Sequence, residues 1–174
     1  MGTRGITKVI VNETIAVSQY GQWDHYPSGQ GTNVYHFLQD PANVVALRAG
    51  LATHVWYPTD SELEALSRPY VKENGMMTLE MGEKYSADYP SLTRDTGADI
   101  LRVIANAEGL VPIYKDLMFE TEELWCEGVY TIDLDAETFT TKWDSETYTF
   151  TFDEIRSMSA NEYAEKCGDA LVSA

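Results

Sequence analysis

The amino-acid sequence predicts a single α+β domain over residues 1–174, with an antiparallel sheet partly covered by helices. Three observations lead to this fold class. The first residues alternate between apolar and polar side chains rich in Val, Ile and Thr, which is typical of an opening β-hairpin. The middle of the chain shows the apolar spacing of helices, and residues 124–152 return to the alternation of strands. No repeat or linker divides the chain, and its length suffices for one hydrophobic core.

The opening hairpin is predicted from two alternating segments, residues 6–12 and 14–20. They are joined at Asn12, a residue type that tolerates the positive φ of a tight turn. In a hairpin, the start of the first strand lies beside the end of the second. We therefore expect Arg4 to lie next to the segment that follows the second strand, residues 20–31.

Helices are predicted where a capping residue comes just before apolar side chains with helical spacing. The predicted helices begin after Gly31, at Asp40-Pro41, at Thr59, at Asp95 and at Ser159. We expect the fourth of these helices to stop at Gly109, because glycine favours a helix C-terminus. The fifth is expected to run to Leu171.

Strands are predicted in the C-terminal part from alternation and turn residues. A hairpin is expected from residues 124–134 and 137–143, and residues 148–152 alternate strictly, with aromatic side chains on one face. A further short strand is predicted at residues 77–81, within the least regular part of the chain.

The chain carries a net charge of −16, most of it in the C-terminal third. Residues 116–174 contain 15 acidic and 3 basic side chains, a net −12. Binding to a nucleic-acid backbone requires a basic surface, so we expect no direct contact with nucleic acid. An acidic face is either simply solvated or attracts basic protein surfaces. No apolar run reaches the length of a membrane span, so we expect no membrane partner.

Residues 20–31 read YGQWDHYPSGQG and combine glycines, aromatic rings and polar groups. Glycines let a backbone approach a ligand closely, and free N–H groups ahead of the following helix favour an anion. Trp23 and Tyr26 offer faces for stacking a ring, and Asp24 offers an acceptor or a general base. The opposing interpretation is a packed structural loop, in which Asp24 caps a turn and pairs with Arg4.

The predicted site binds a small nucleotide-like or anionic ligand. Its expected residues are Arg4, Gln22, Trp23, Asp24, Tyr26, Ser28, Gln30 and Arg94. No spacing matches the phosphate loop GxxxxGK[ST], and no cofactor is expected. Neither the histidines nor the cysteines cluster, so no metal site is expected.

Two carboxylates outside this loop are further candidates. Asp95 either caps a helix or joins a site with Arg94, and Glu127 is either a solvated side chain or a buried functional acid. With Asp24 and His25, Glu127 supplies the acid and base of an alternative function, a small hydrolase. No catalytic role is assigned to any single residue.

Several motifs resemble a family of small proteins from bacteriophages and bacteria. They are the start MGTRG, the pattern YGQWDxYPSGQG, and the segments RDTGA at residues 94–98 and CEGVYTIDL at residues 126–134. The resemblance implies a phage accessory protein that works in the cytoplasm of a bacterial host, where such proteins act against host defence. His25 stands where a small residue is expected, which implies a less flexible loop.

Two binding functions therefore stand beside the hydrolase. In the first, residues 20–31 form a pocket with Arg4 and Arg94 for a nucleotide-like molecule, which is sequestered or hydrolysed. In the alternative, the acidic C-terminal third binds a basic host protein, as a nucleic-acid mimic or an anti-CRISPR-type inhibitor does. The apolar strands also allow a homodimer, which nothing in the sequence requires.

Overall fold

The opening hairpin predicted from the sequence is confirmed. The computed structural model describes residues 2–169. Strands β1 (Gly5–Val11) and β2 (Thr14–Gly21) pair antiparallel, with Gly5 opposite Gly21. Asn12 and Glu13 form the turn at positive φ angles of 53° and 61°. These angles match the twist of a two-residue hairpin turn.

The hairpin belongs to a five-stranded sheet in the order β2-β1-β5-β6-β7. Its other strands are β5 (Gly128–Asp133), β6 (Thr138–Trp143) and β7 (Glu146–Thr151). Consecutive strands pair antiparallel, whereas β1 and β5 pair parallel because the chain returns to the sheet only after its helical part. The sheet is therefore mostly antiparallel, as predicted, with one parallel pair at its centre.

Seven α-helices lie within the described residues, and five of them cover one face of the sheet. The helices are α1 (Thr32–Gln39), α2 (Pro41–Thr53), α3 (Asp60–Ser67), α4 (Leu79–Asp88), α5 (Ile100–Ala105), α6 (Phe152–Ser157) and α7 (Ala160–Lys166). Two short strands, β3 (Val55–Trp56) and β4 (Val111–Pro112), form a separate parallel pair. None of the helices within residues 2–169 has the length and apolar content that crossing a bilayer requires.

Local capping explains why several helix starts were predicted correctly. The Asp40 carboxylate accepts the N–H of Ala42 at 2.9 Å, and Pro41 occupies the first helical position. Thr59 and Glu62 form a reciprocal capping box at the start of α3. Such bonds involve only neighbours in sequence, so the sequence contains the whole signal.

The strand predicted at residues 77–81 is wrong, because α4 begins there. The hydroxyl of Thr78 accepts the N–H of Met81 at 3.1 Å and caps the helix. The helix exposes much of its surface and buries none of its side chains fully. It therefore lacks the strong apolar periodicity by which a helix is recognised in a sequence.

The predicted helix start at Asp95 is also wrong. A 3-10 turn, Gly97–Asp99, precedes α5, which ends at Ala105 and not at Gly109. Gly97 has a φ of +50°, and this left-handed residue separates Asp95 from the helix. The Asp95 carboxylate instead accepts the indole N–H of Trp23 at 2.7 Å.

Three element boundaries near the C-terminus differ from the prediction. The strand expected from residue 124 begins at Gly128, and Phe152 opens α6 because Thr151 and Glu154 form a capping box. Helix α7 ends at Lys166, close to Gly168 at a φ of +73°. Leu171, its predicted end, lies outside the described residues.

The hydrophobic core lies between the sheet and helices α1, α2, α5, α6 and α7. Tyr130 and Phe139 project from the sheet, and Tyr163 of α7 lies almost parallel to the Phe139 ring at 5.4 Å between centroids. The Tyr163 hydroxyl bonds the buried hydroxyl of Thr141 at 2.7 Å. Helices α3 and α4 contribute no fully buried side chain and lie outside this core.

Replacing Tyr163 by Phe is expected to lower the free energy of unfolding by about 1–3 kcal/mol, because the buried Thr141 hydroxyl loses its partner. Chemical denaturation measures the loss. The control is Tyr114→Phe, which removes an exposed hydroxyl and should change stability by less than about 0.5 kcal/mol. Equal effects of the two substitutions would contradict this account of the core.

Candidate functional site

The loop over residues 20–31 is fastened to two distant parts of the chain by backbone hydrogen bonds. The N–H of Gln22 donates to the carbonyl of Arg94 at 2.9 Å, and the N–H of His25 donates to the carbonyl of Thr3 at 3.0 Å. A turn of π-helix, Pro27–Gly31, then leads directly into α1. Contacts with residues distant in sequence therefore hold the backbone of the loop in place.

His25 is the anchor of this loop and is fully buried. Its Nδ1 donates to the carbonyl of Trp23 at 2.9 Å, so the neutral ring carries its proton on Nδ1. Its own carbonyl accepts the hydroxyl of Tyr130 at 2.6 Å. Its Nε2 is buried without a hydrogen-bond partner in the described structure. A surface role for His25 as an acid or base, as the hydrolase hypothesis requires, does not fit this position.

Glycines make room for His25. A Cβ added to Gly21 would lie 2.2 Å from the ring, and one added to Gly5 would lie 2.6 Å from it. A Cβ on Gly128 would lie 2.0 Å from the His25 carbonyl oxygen. The three glycines sit at the ends of adjacent strands, which explains why the sheet admits an imidazole there.

The exposed side chains of the loop pair mainly with their neighbours. Trp23 is 43% exposed and donates its indole N–H to Asp95. Asp24 adopts a φ of +60°, and its carboxylate accepts the Tyr26 hydroxyl at 3.2 Å. Burial and the Asp24 charge raise the pKa of Tyr26. These groups face solvent, but they do not line a cavity with Arg94.

The predicted anion-binding end of the loop is occupied by the protein itself. The N–H of Ser28 donates to the Asp169 carboxylate at 2.7 Å. The side-chain oxygen of Gln30 accepts the N–H of Ala98 at 3.0 Å, and its amide donates to the carbonyl of Trp23 at 3.2 Å. Ser28 and Gln30 therefore hold the loop to other elements.

Both predicted cations act on Tyr20, at the end of β2. Burial raises the pKa of Tyr20, while the positive charges of Arg4 and Arg94 oppose that rise. The guanidinium of Arg4 stacks on the Trp125 ring at 4.7 Å. The Tyr20 hydroxyl donates to the side-chain oxygen of Gln22 at 2.5 Å. Gln22 therefore bonds the Tyr20 hydroxyl, whereas the Arg4 guanidinium lies over Trp125 and Arg94 is exposed.

A cavity of about 480 Å³ opens beside Tyr20, along the outer edge of β2. We call it the Tyr20–Arg94 cavity. Its volume lies within the range of small-molecule sites. Its lining is aromatic, aliphatic and hydroxylic, and it comprises Gln19, Tyr20, Leu63, Glu64, Ser67, Tyr85, Ser91, Leu92, Thr93, Arg94, Tyr114 and Asp116. Of the eight predicted site residues, Arg94 alone is among these.

Arg94 supplies the positive charge of this cavity and is exposed. The ion pairs formed within residues 2–169 are Lys8 with Glu120 and Lys84 with Asp88, so Arg94 belongs to neither. Two carboxylates also reach the lining. Asp116 accepts the N–H of Phe119 at 3.0 Å and thereby caps a turn, whereas Glu64 lies on the exposed surface of α3.

Sequence reasoning missed one wall of the cavity. Leu63, Glu64 and Ser67 come from α3, and Tyr85 comes from α4, whose first residues overlap the strand expected at residues 77–81. Tyr85 also meets Tyr70 at 5.2 Å between ring centroids, in an edge-to-face arrangement. The concentration of tyrosines in this part of the chain was the available signal.

No group of three or more His, Cys, Asp or Glu side chains within residues 2–169 is arranged to hold a metal ion. Cys126 and Cys167 are both free thiols, and burial raises the pKa of each to about 11. No protein-family model, curated protein or solved structure matches the chain. The resemblance of its motifs to phage proteins therefore stays a prediction.

Replacing Gly128 by Ala is expected to destabilise the fold by about 2–3 kcal/mol, because the new methyl group would collide with the His25 carbonyl. Thermal unfolding measures the loss. Gly109→Ala is the matched control, since a Cβ there meets nothing within 4 Å. If Gly128→Ala unfolds like the wild type, the contact between Gly128 and His25 does not limit the fold.

Acid is expected to destabilise the protein through His25, whose pKa burial lowers from 6.5 to about 4. The unfolded chain takes up the proton first, so this contribution is complete above pH 6.5 and is lost as the pH falls towards 4. The loss reaches about 3 kcal/mol, at about 1.4 kcal/mol per pKa unit. An NMR titration should place the His25 midpoint near 4; a midpoint at 6 or above would contradict the buried neutral ring.

Proposed function

We propose that the protein binds a small anionic molecule that carries an aromatic ring, in the Tyr20–Arg94 cavity. The observation that carries this proposal is the exposed Arg94 guanidinium, which forms no ion pair within residues 2–169, in a cavity walled by Tyr20, Tyr85 and Tyr114. A guanidinium binds phosphate or carboxylate through two parallel hydrogen bonds. Tyrosine rings supply flat apolar surface against which a heterocycle packs.

A nucleotide-like ligand fits this combination of groups. Its phosphate would meet Arg94, and its base would lie against the tyrosines. Glu64 and Asp116 add hydrogen-bond acceptors to the same lining, and they suit the exocyclic amino group of a base. A simple inorganic anion would leave both the aromatic wall and these carboxylates without a role.

Binding, and not hydrolysis, is the activity that the geometry supports. The three residues of the hydrolase hypothesis are Asp24, His25 and Glu127, and none of them lines the Tyr20–Arg94 cavity. We therefore infer that the protein sequesters its ligand. The motif resemblance alone supports the setting, which we propose to be the cytoplasm of a bacterial host during phage infection, with defence signalling as the target.

A ligand panel is expected to identify this site. Nucleoside monophosphates and cyclic dinucleotides should raise the melting temperature and give saturable heats by calorimetry, because a ligand that binds only the folded state stabilises it. Inorganic phosphate and the corresponding nucleosides should bind at least about tenfold more weakly. Phosphate lacks the base that packs on the tyrosines, and a nucleoside lacks the phosphate that Arg94 binds. Absence of any response at millimolar nucleotide would overturn the proposal.

Arg94→Ala is expected to weaken the best nucleotide by at least about tenfold, because a charge-assisted hydrogen bond contributes about 1.5–3 kcal/mol. The fold should be unaffected, since only the backbone carbonyl of Arg94 bonds Gln22. Arg102→Ala is the control: it removes a guanidinium that lies over Phe37, outside the cavity. Equal affinities of the two variants would place the ligand elsewhere.

A further inference from the structure

A second surface is built by residues 117–127, which cross the sheet face opposite the core. Four large apolar side chains of this segment are exposed: Leu117, Met118, Leu124 and Trp125. Met118 is 73% and Leu124 is 81% exposed. Single exposed apolar residues are ordinary, but several in one short segment indicate an interaction surface. We call these side chains and the groove beside them the 117–127 surface.

The segment is held firmly, so its apolar side chains are not exposed through loose attachment. At one end, the N–H of Asp116 donates to the carbonyl of Ser18 at 2.9 Å; at the other, the N–H of Glu127 donates to the carbonyl of Arg4 at 2.9 Å. Between them, Phe119 packs edge-on against Tyr20. The segment thus directs Phe119 inwards and leaves Leu117, Met118 and Leu124 exposed, while the Arg4 guanidinium lies over the Trp125 ring.

The groove beside the segment has a volume of about 550 Å³. Val129 and Lys142, paired across β5 and β6, belong to its lining on the sheet face away from the core. The lining contains one ammonium group, that of Lys142, and four carboxylates, those of Glu120, Glu123, Glu127 and Asp144. Glu120 already pairs with Lys8 at 2.5 Å, and the other three carboxylates form no ion pair within residues 2–169.

We propose that the 117–127 surface binds a basic amphipathic polypeptide segment of another protein. Its apolar side chains would cover Leu124 and Met118, and its Lys or Arg side chains would meet the carboxylates of the groove. This proposal is independent of the ligand in the Tyr20–Arg94 cavity, because the groove and the exposed apolar side chains share no residue with the cavity lining.

The negative charge of the groove favours a basic polypeptide over nucleic acid, anionic lipid or a second copy of this chain. Nucleic acid and anionic lipid would be repelled by the unpaired carboxylates of Glu123, Glu127 and Asp144. A second copy of this chain brings a further net −16 to the interface. A basic polypeptide gains from both features of the surface, since the carboxylates accelerate its association and the apolar contacts slow its release.

Three synthetic peptides of about 18 residues, or about five helical turns, test the proposal. The first arranges Lys and Leu in amphipathic helical order, the second replaces Leu by Ser, and the third replaces Lys by Glu. We expect the Lys–Leu peptide to bind the full chain at least about tenfold more tightly than either control in fluorescence anisotropy. Equal binding of the Lys–Ser peptide would show diffuse charge attraction and overturn the proposal.

Matched variants locate the binding. Leu124→Ser and Glu123→Lys should each weaken the Lys–Leu peptide by at least about tenfold. Leu79→Ser and Glu83→Lys make the same changes on exposed positions of α4 and should leave its affinity within about twofold of the wild type. Equal effects at both places would overturn the proposal. So would a concentration-dependent dimer that Leu124→Ser abolishes, because the surface would then join two copies of this chain.

Discussion

The burial of His25 is the constraint on which the arrangement of the N-terminal half depends. Its backbone N–H holds the chain at Thr3, its carbonyl is held by Tyr130 in the middle of the sheet, and its ring fills the space above Gly5 and Gly21. One residue therefore joins the start of the chain, both strands of the hairpin and the parallel strand β5. Burial of the ring, with no hydrogen-bond partner for Nε2 among the described residues, keeps His25 neutral. The contacts that His25 makes are therefore sensitive to acid.

The contacts of buried His25 explain the unusual composition of residues 20–31 in structural terms. Glycines admit the histidine, and the amide of Gln30 bonds Ala98 and Trp23. The N–H of Ser28 meets Asp169 near the other end of the chain. A loop that links three separated segments needs many polar groups for its own closure. Of the loop residues, the Tyr20–Arg94 cavity therefore uses only Tyr20, at the edge of β2.

The sequence predicted several features that local contacts decide, although the local caps at Thr78 and Thr151 were missed, and it did not predict those that distant contacts decide. The turn at Asn12 and the caps at Asp40 and Thr59 involve neighbours in sequence, and each was predicted correctly. The buried position of His25 depends on glycines from three strands, so the sequence represented it as a polar loop residue. The cavity wall from α3 and α4 depends on how two helices outside the core lie beside β2, which no local pattern encodes.

An anion site in a chain of net charge −16 is physically consistent because charges act over different distances. At physiological salt the screening length is about 8 Å, so the charges that matter most at Arg94 are those of the cavity lining, which include the carboxylates of Glu64 and Asp116. The charges that act on the Tyr20 ring are the positive charges of Arg4 and Arg94 and the opposing negative charge of Asp116. The carboxylates of the groove beside residues 117–127 dominate their own surroundings in the same way.

Residues 114–127 connect the two sites, since Tyr114 and Asp116 line the cavity and Glu120 lines the groove. The cavity proposed for an anionic ligand and the groove proposed for a basic polypeptide therefore share one segment of the chain, and each keeps its own local charge.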